Sequence, residues 1–114
     1  MARNDDSRLE LLRGTLDLLI LRTLLPGPSH GHAIAKHIQR TSDDVLQVEH
    51  GSLYPALHRL EEKGWLKAEW RQSETGREAK FYALTPKGRK QLTVEKESWN
   101  RLADAVRLIF NEGD

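Results

Sequence analysis

The chain has 114 residues, 31% charged and 38% hydrophobic, with a formal net charge of +1 and no cysteine. This is enough chain for one small folded domain with a core, not two, and the composition is that of a globular rather than a disordered protein. The missing Cys excludes disulfides, thiol catalysis and thiolate metal sites, while the N-terminus MARNDDSR has no apolar signal core and no stretch is apolar enough to span a bilayer, so a cytoplasmic location is expected.

Ser7-Arg8-Leu9-Glu10 matches a capping box and predicts a helix start, with Thr15 after Gly14 as a second candidate. Leu16 to Leu25 is almost continuously apolar, which implies burial on more than one face, the extra one against a second chain. Pro26-Gly27-Pro28 ends that helix. Ser29 is the expected N-cap of the next, which runs to about Arg40 with Ile34 and Ile38 inward. Thr41 to Asp44 is a polar break, and Val45, Leu46 and Val48 suit a short strand.

The run GSLYPALHRLEEKGWL predicts a third helix over roughly Ser52 to Lys63. Leu53, Leu57 and Leu60 form its buried stripe. Pro55 falls in the first turn, where an amide has no intrahelical partner to lose, and Gly64 supplies the stop. Two alternating segments follow. If they turn near Thr75, Leu66 opposes Leu84 and Ala68 opposes Tyr82, with Glu74-Thr75-Gly76 at the tip. Thr85-Pro86 is an N-cap followed by Pro at the first helical position. The last helix is expected to reach about Asn111, with Leu92, Trp99 and Val106 at intervals of seven joined by Leu102, Ile109 and Phe110. That seam predicts dimerisation, although Glu95 interrupts it.

A helix followed at once by a two-stranded wing is the reading head of a winged helix-turn-helix. The expected fold is therefore mainly α with a small β-hairpin, and DNA binding is the leading function. The division expected is a DNA-binding domain over residues 1–85 and a dimerisation helix over 86–114. Residues 50–90 carry nine Lys/Arg against five Asp/Glu, whereas 1–49 carry six against seven and 91–114 three against five. The positive charge thus gathers at the reading head and wing. Ser52, Tyr54, Pro55, His58 and Arg59 are the candidates on the helix, where N-terminal residues enter the major groove. Arg71, Gly76, Arg77 and Lys80 are the candidates on the wing. Leu16, Leu19, Ile20, Leu92, Trp99, Leu102, Val106, Ile109 and Phe110 are the candidates for a dimer interface.

LLRGTLDLLILRTL, HGHAI, GSLYPALHRLEEKGWL and ETGREAKFYALTPKGRKQL, in that order, resemble the PadR family of bacterial transcriptional regulators, in its branch with a single C-terminal helix. The resemblance covers roughly residues 11–110. It implies a homodimeric repressor of nearby genes in which the C-terminal helix packs on the partner's first helix. It also implies, for some short members, an aromatic small-molecule effector between the dimer halves, held by a Trp at the position of Trp99. Plain packing on the dimer seam is the other reading of Trp99. His32 stands where the family often has Tyr.

Two dimeric reading heads would meet a palindromic operator in double-stranded DNA. The alternative is a winged-helix adaptor that binds proteins and not DNA. No nucleophile–base pair, phosphate loop or carboxylate pair points to an enzyme. The five histidines lack the Cys or carboxylate partners of a recognisable metal set, so neither metal nor cofactor is expected.

Overall fold

The computed structural model describes residues 9–10, 13–72 and 74–112. In chain order these form β1 (Leu9–Glu10), α1 (Arg13–Thr23), β2 (Ser29–His30), α2 (Gly31–Thr41), β3 (Leu46–Gln47), α3 (His50–Glu62), β4 (Leu66–Gln72), β5 (Glu78–Leu84) and α4 (Pro86–Phe110). β4 and β5 make an antiparallel hairpin, β2 joins it on the β5 side, and β1 lies parallel to β3. The architecture is a winged helix-turn-helix with a long C-terminal helix.

α1, α2 and α3 pack on one another and share one core with the hairpin and the start of α4. Leu16, Ile20, Leu21, Leu24, Ile34, Ile38, Leu53, Leu57, Leu60, Leu66, Tyr82 and Leu92 are its large buried members. The buried positions of α3 are Leu53, Ala56, Leu57 and Leu60, the expected stripe widened by one alanine. In the hairpin Leu66 pairs with Leu84 and Ala68 with Tyr82, the register that the alternation predicts. Gly76 takes a φ of 85° at its tip, which only glycine adopts without strain.

Several boundaries differ from the sequence expectation. Glu10 is extended and paired beside Gln47, so no helix starts from a capping box there; Ser7 lies outside the described residues. Ser29 is not an N-cap but a strand residue opposite Tyr82. His30 caps α2 instead, its Nδ1 accepting from the Ala33 amide at 3.2 Å. α3 begins at His50, after an N-cap Glu49 whose side chain makes no capping bond. Pro55 therefore lies in the second turn, where it cannot donate to the Gly51 carbonyl.

The junction into α4 is tightly made. Thr85 Oγ1 accepts from the Gly88 amide at 2.9 Å and donates to the Gly64 carbonyl at 2.7 Å. The Thr85 amide in turn donates to the Trp65 carbonyl at 3.1 Å. Gly88 is buried against that carbonyl: a Cβ there would overlap the Trp65 oxygen. At about 1.5 Å per residue, α4 is about 38 Å long, and its 25 residues run far beyond the core it helps to close.

Candidate nucleic-acid interface

α3 is amphipathic, and its solvent face carries Ser52, Tyr54, Pro55 and His58, all exposed. Tyr54 is 45% exposed, with its ring edge-on to His50 at 5.7 Å. His50 in turn stands edge-on to His32 at the start of α2, at 6.1 Å. The Tyr54 ring also lies over Gly31, where a Cβ would come within 2.7 Å of it. The N-terminal end of the reading helix thus carries an aromatic cluster from two helices. His32 and His50 were not among the sequence candidates, because a helix expected at Ser52 leaves His50 in a loop. His58 sits 3.5 Å from Glu62 one turn on, both of them well exposed.

Arg59 departs from the outward placement that the helix pattern suggests. Its Nη2 lies 2.6 Å from Asp17 Oδ1 on α1, and the two side chains are only 20% and 13% exposed. Its neighbour His58 faces solvent, but the Arg59 guanidinium is turned back onto the body of the domain.

On the wing, Arg77 and Gly76 are exposed at the tip. Arg71 is stacked over the Phe81 ring, 4.9 Å from its centre, and lies 3.4 Å from Glu69. Lys80 is half-buried, 3.5 Å from Glu61 of α3 and 5.6 Å from the centre of the Tyr82 ring. It braces the wing against α3. Burial raises the Tyr82 phenol above its ordinary pKa, with Lys80 pulling the other way. Trp70, opposite Lys80, is 65% exposed on the stretch of wing that extends past the core.

The expected dimer residues divide into two groups. Leu16, Ile20 and Leu92 are buried within the chain itself, because α1 is packed by α2, α3 and α4 at once. Leu19 is half-buried beside the core. Trp99, Leu102, Val106, Ile109 and Phe110 are exposed, as are Val94 and Leu108. Phe110, 78% exposed, is the most open of them. Between α1 and α4 lies a cavity of about 430 Å³ lined by Thr15, Leu18, Leu19, Arg22, Leu46, Leu92, Lys96, Trp99 and Asn100. Its walls are apolar, with two cations at the side. Among the described residues no group of three or more His, Cys, Asp or Glu could hold a metal ion, and no helix is long and apolar enough to cross a membrane.

The family model described as the transcriptional regulator PadR-like family matches residues 20–94, from the middle of α1 into α4. The chain belongs to the PadR-like family. As such it is a DNA-binding transcriptional regulator and not an enzyme. A transcriptional regulator of Mycobacterium tuberculosis is 35% identical to this PadR-like chain over 97 residues, 85% of this chain and 87% of that one. Among solved structures, a transcriptional regulator from Clostridium thermocellum is 32% identical with a TM-score of 0.76, covering 83% of this chain and 92% of that one. A PadR family transcriptional regulator from Eggerthella lenta is also 32% identical, with a TM-score of 0.74 and coverage of 89% and 86%.

Proposed function

We propose that this PadR-like regulator is a homodimeric repressor that binds a palindromic operator in double-stranded DNA from the cytoplasm. The carrying observation is the pairing of two unpartnered surfaces. One is the exposed face of α3 with Ser52, Tyr54, Pro55 and His58, next to a wing that Lys80 braces. The other is the row of exposed apolar side chains along α4 from Trp99 to Phe110.

On this reading residues 1–85 form the DNA-binding unit and 86–114 the dimerisation helix. α3 enters the major groove N-terminal end first, where helix amides and Ser52 favour phosphate and base edges. Arg71, Arg77 and the Gly76 turn reach flanking phosphates. The half of α4 beyond Leu92, with Leu19 on α1, forms the contact between copies. Burying large apolar side chains contributes roughly 1.5–3 kcal/mol each, which the exposed row on α4 sets against the entropic cost of association. The cavity beside Trp99 is of a size for a planar aromatic effector, which would bias the angle between the two heads.

The test combines sedimentation with fluorescence anisotropy on the DNA upstream of the protein's own gene. A dimer that binds this DNA with steep salt dependence is expected. A monomer, or no binding at low salt, would refute the proposal, and the latter would favour a protein-binding adaptor.

A further inference from the structure

Two of the side-chain pairs on α3 and the wing are loose and lie at the surface. His58 and Glu62 are 3.5 Å apart and Arg71 and Glu69 3.4 Å, all well exposed. Such pairs contribute little and exchange readily for a phosphate. Arg59 and Asp17 are different: 2.6 Å apart, largely shielded from solvent, and 42 residues apart in sequence. A short charge-assisted bond with little water around it is held more firmly than an exposed one.

We propose that Arg59 is a positioning residue and not a DNA ligand: through Asp17 it fixes α3 on α1 and so sets how Ser52, Tyr54, Pro55 and His58 meet the operator. This rests on the DNA-binding reading above. Turning the guanidinium toward a phosphate would strip Asp17 of this bond while leaving the carboxylate mostly buried, and a surface phosphate contact does not repay that. The leucine stripe of α3 is apolar and non-directional, so it permits small rotations of the helix. The ion pair adds a directional contact at the edge of that stripe and removes this freedom.

The placement of Asp17 extends the argument. Its neighbours Leu16 and Ile20 are in the core, whereas Leu18 and Leu19 line the cavity against α4. One stretch of α1 therefore touches the cavity on one side and holds the reading helix on the other. A shift of α1 caused by whatever fills the cavity reaches α3 through this bond.

The two roles for Arg59 predict different behaviour of Asp17. As a simple negative charge near a polyanion, Asp17 would oppose binding, and Asp17→Asn would leave affinity unchanged or raise it. As half of a positioning pair, Asp17→Asn weakens operator binding as Arg59→Gln does. The experiment measures the binding of wild type, D17N, R59Q and D17N/R59Q to upstream operator DNA and to random-sequence DNA across a salt series, by fluorescence anisotropy. Circular dichroism melts check that each is folded. The expected result is an operator affinity lowered on the order of tenfold in both single variants. Random-sequence affinity and the salt slope stay as in wild type, and the double variant is no weaker than either single one. A loss of stability alone would not change the ratio of operator to random affinity in folded protein.

D17N binding the operator as well as wild type would overturn the proposal. So would a salt slope in R59Q shallower by about 0.9, the signature of one lost phosphate contact. Should a single variant melt below the assay temperature, the double variant, with two neutral amides in place of the pair, decides alone: wild-type operator preference in it overturns the proposal. Wild-type protein that fails to bind at low salt would instead refute the DNA-binding reading itself.

Discussion

Gly31→Ala separates stability from recognition at the reading head. Gly31 opens α2 and is buried under the Tyr54 ring, which a Cβ would meet at 2.7 to 2.9 Å. Ordinary contact needs about 3.5–4.0 Å, so the ring must move away by about 1 Å. It can do so, since Tyr54 is half open to solvent. The cost is its packing on Gly31 and its edge-on contact with His50, about 0.5–1.5 kcal/mol. Part of this is offset by the better helix propensity of Ala, at most about 1 kcal/mol. The net loss is therefore small, about 1 kcal/mol or less, equal to a fall in Tm of no more than about 4–8 °C. Operator affinity should fall much more, on the order of tenfold, because Tyr54 flanks the face offered to the groove. Thermal melts and anisotropy on the same preparations compare the two losses. In Tyr54→Ala protein, adding Gly31→Ala should cost no further stability, because the ring it displaces is already gone, and affinity should stay low. A Gly31→Ala protein that binds the operator like wild type would refute the placement of Tyr54 on the reading face. A fall in Tm above 10 °C would refute the claim that the ring yields.

Gly88→Ala should be far more damaging, because its Cβ would overlap the Trp65 backbone oxygen and approach Leu84 within 2.9 Å. A loss of about 1–3 kcal/mol or more is expected in urea melts, and an unchanged midpoint would contradict the close approach. Replacing both Ile109 and Phe110 with Ser should leave the helical signal intact while weakening self-association by at least about 100-fold in sedimentation; an unaltered dimer would move the interface elsewhere. Burial raises the Tyr82 pKa above the ordinary value of 10.0, so the folded state keeps its proton where the unfolded chain loses it. That stability is present below pH 10.0 and is lost as pH rises through the folded value. The limiting slope is about 1.4 kcal/mol per pH unit. Tyr82→Phe should flatten the fall in Tm above pH 10.0, and equal slopes in the two proteins would refute this.

The parts of the fold that are legible in the sequence are those with a local repeat. Leu53, Leu57 and Leu60 recur at helical spacing, and Leu66–Ala68 and Tyr82–Leu84 alternate on either side of a turn. Each pattern fixes a face and, in the hairpin, a register. β1 and β2 have two residues apiece, too few to show any period. The start of α3 is hidden for another reason: Glu49 caps it without a side-chain bond, so no capping residue marks His50 as helical. Leu16 and Ile20 show what apolarity leaves open. A helix apolar all round can be covered by a second chain or by helices of its own, and here α2, α3 and α4 cover Leu16 and Ile20 while Leu18 and Leu19 stay half-buried. Arg59 is out of reach of any local pattern, because its partner Asp17 is 42 residues away.

Thr85 has a consequence for the DNA that the dimer can accept. Its hydroxyl and amide bond the end of α3 and the start of β4 to the first turn of α4, with Gly88 packed hard against the same carbonyl. No flexible linker separates the reading head from the long helix. In the proposed dimer the distance and twist between the two heads are therefore set by the contact that α4 and α1 make between copies. One base pair inserted between the half-sites turns the second by about 35°. With no hinge in the chain to follow that turn, the DNA must bend or untwist instead. Such a repressor would tolerate substitutions at the centre of its operator far better than a change in the operator's length.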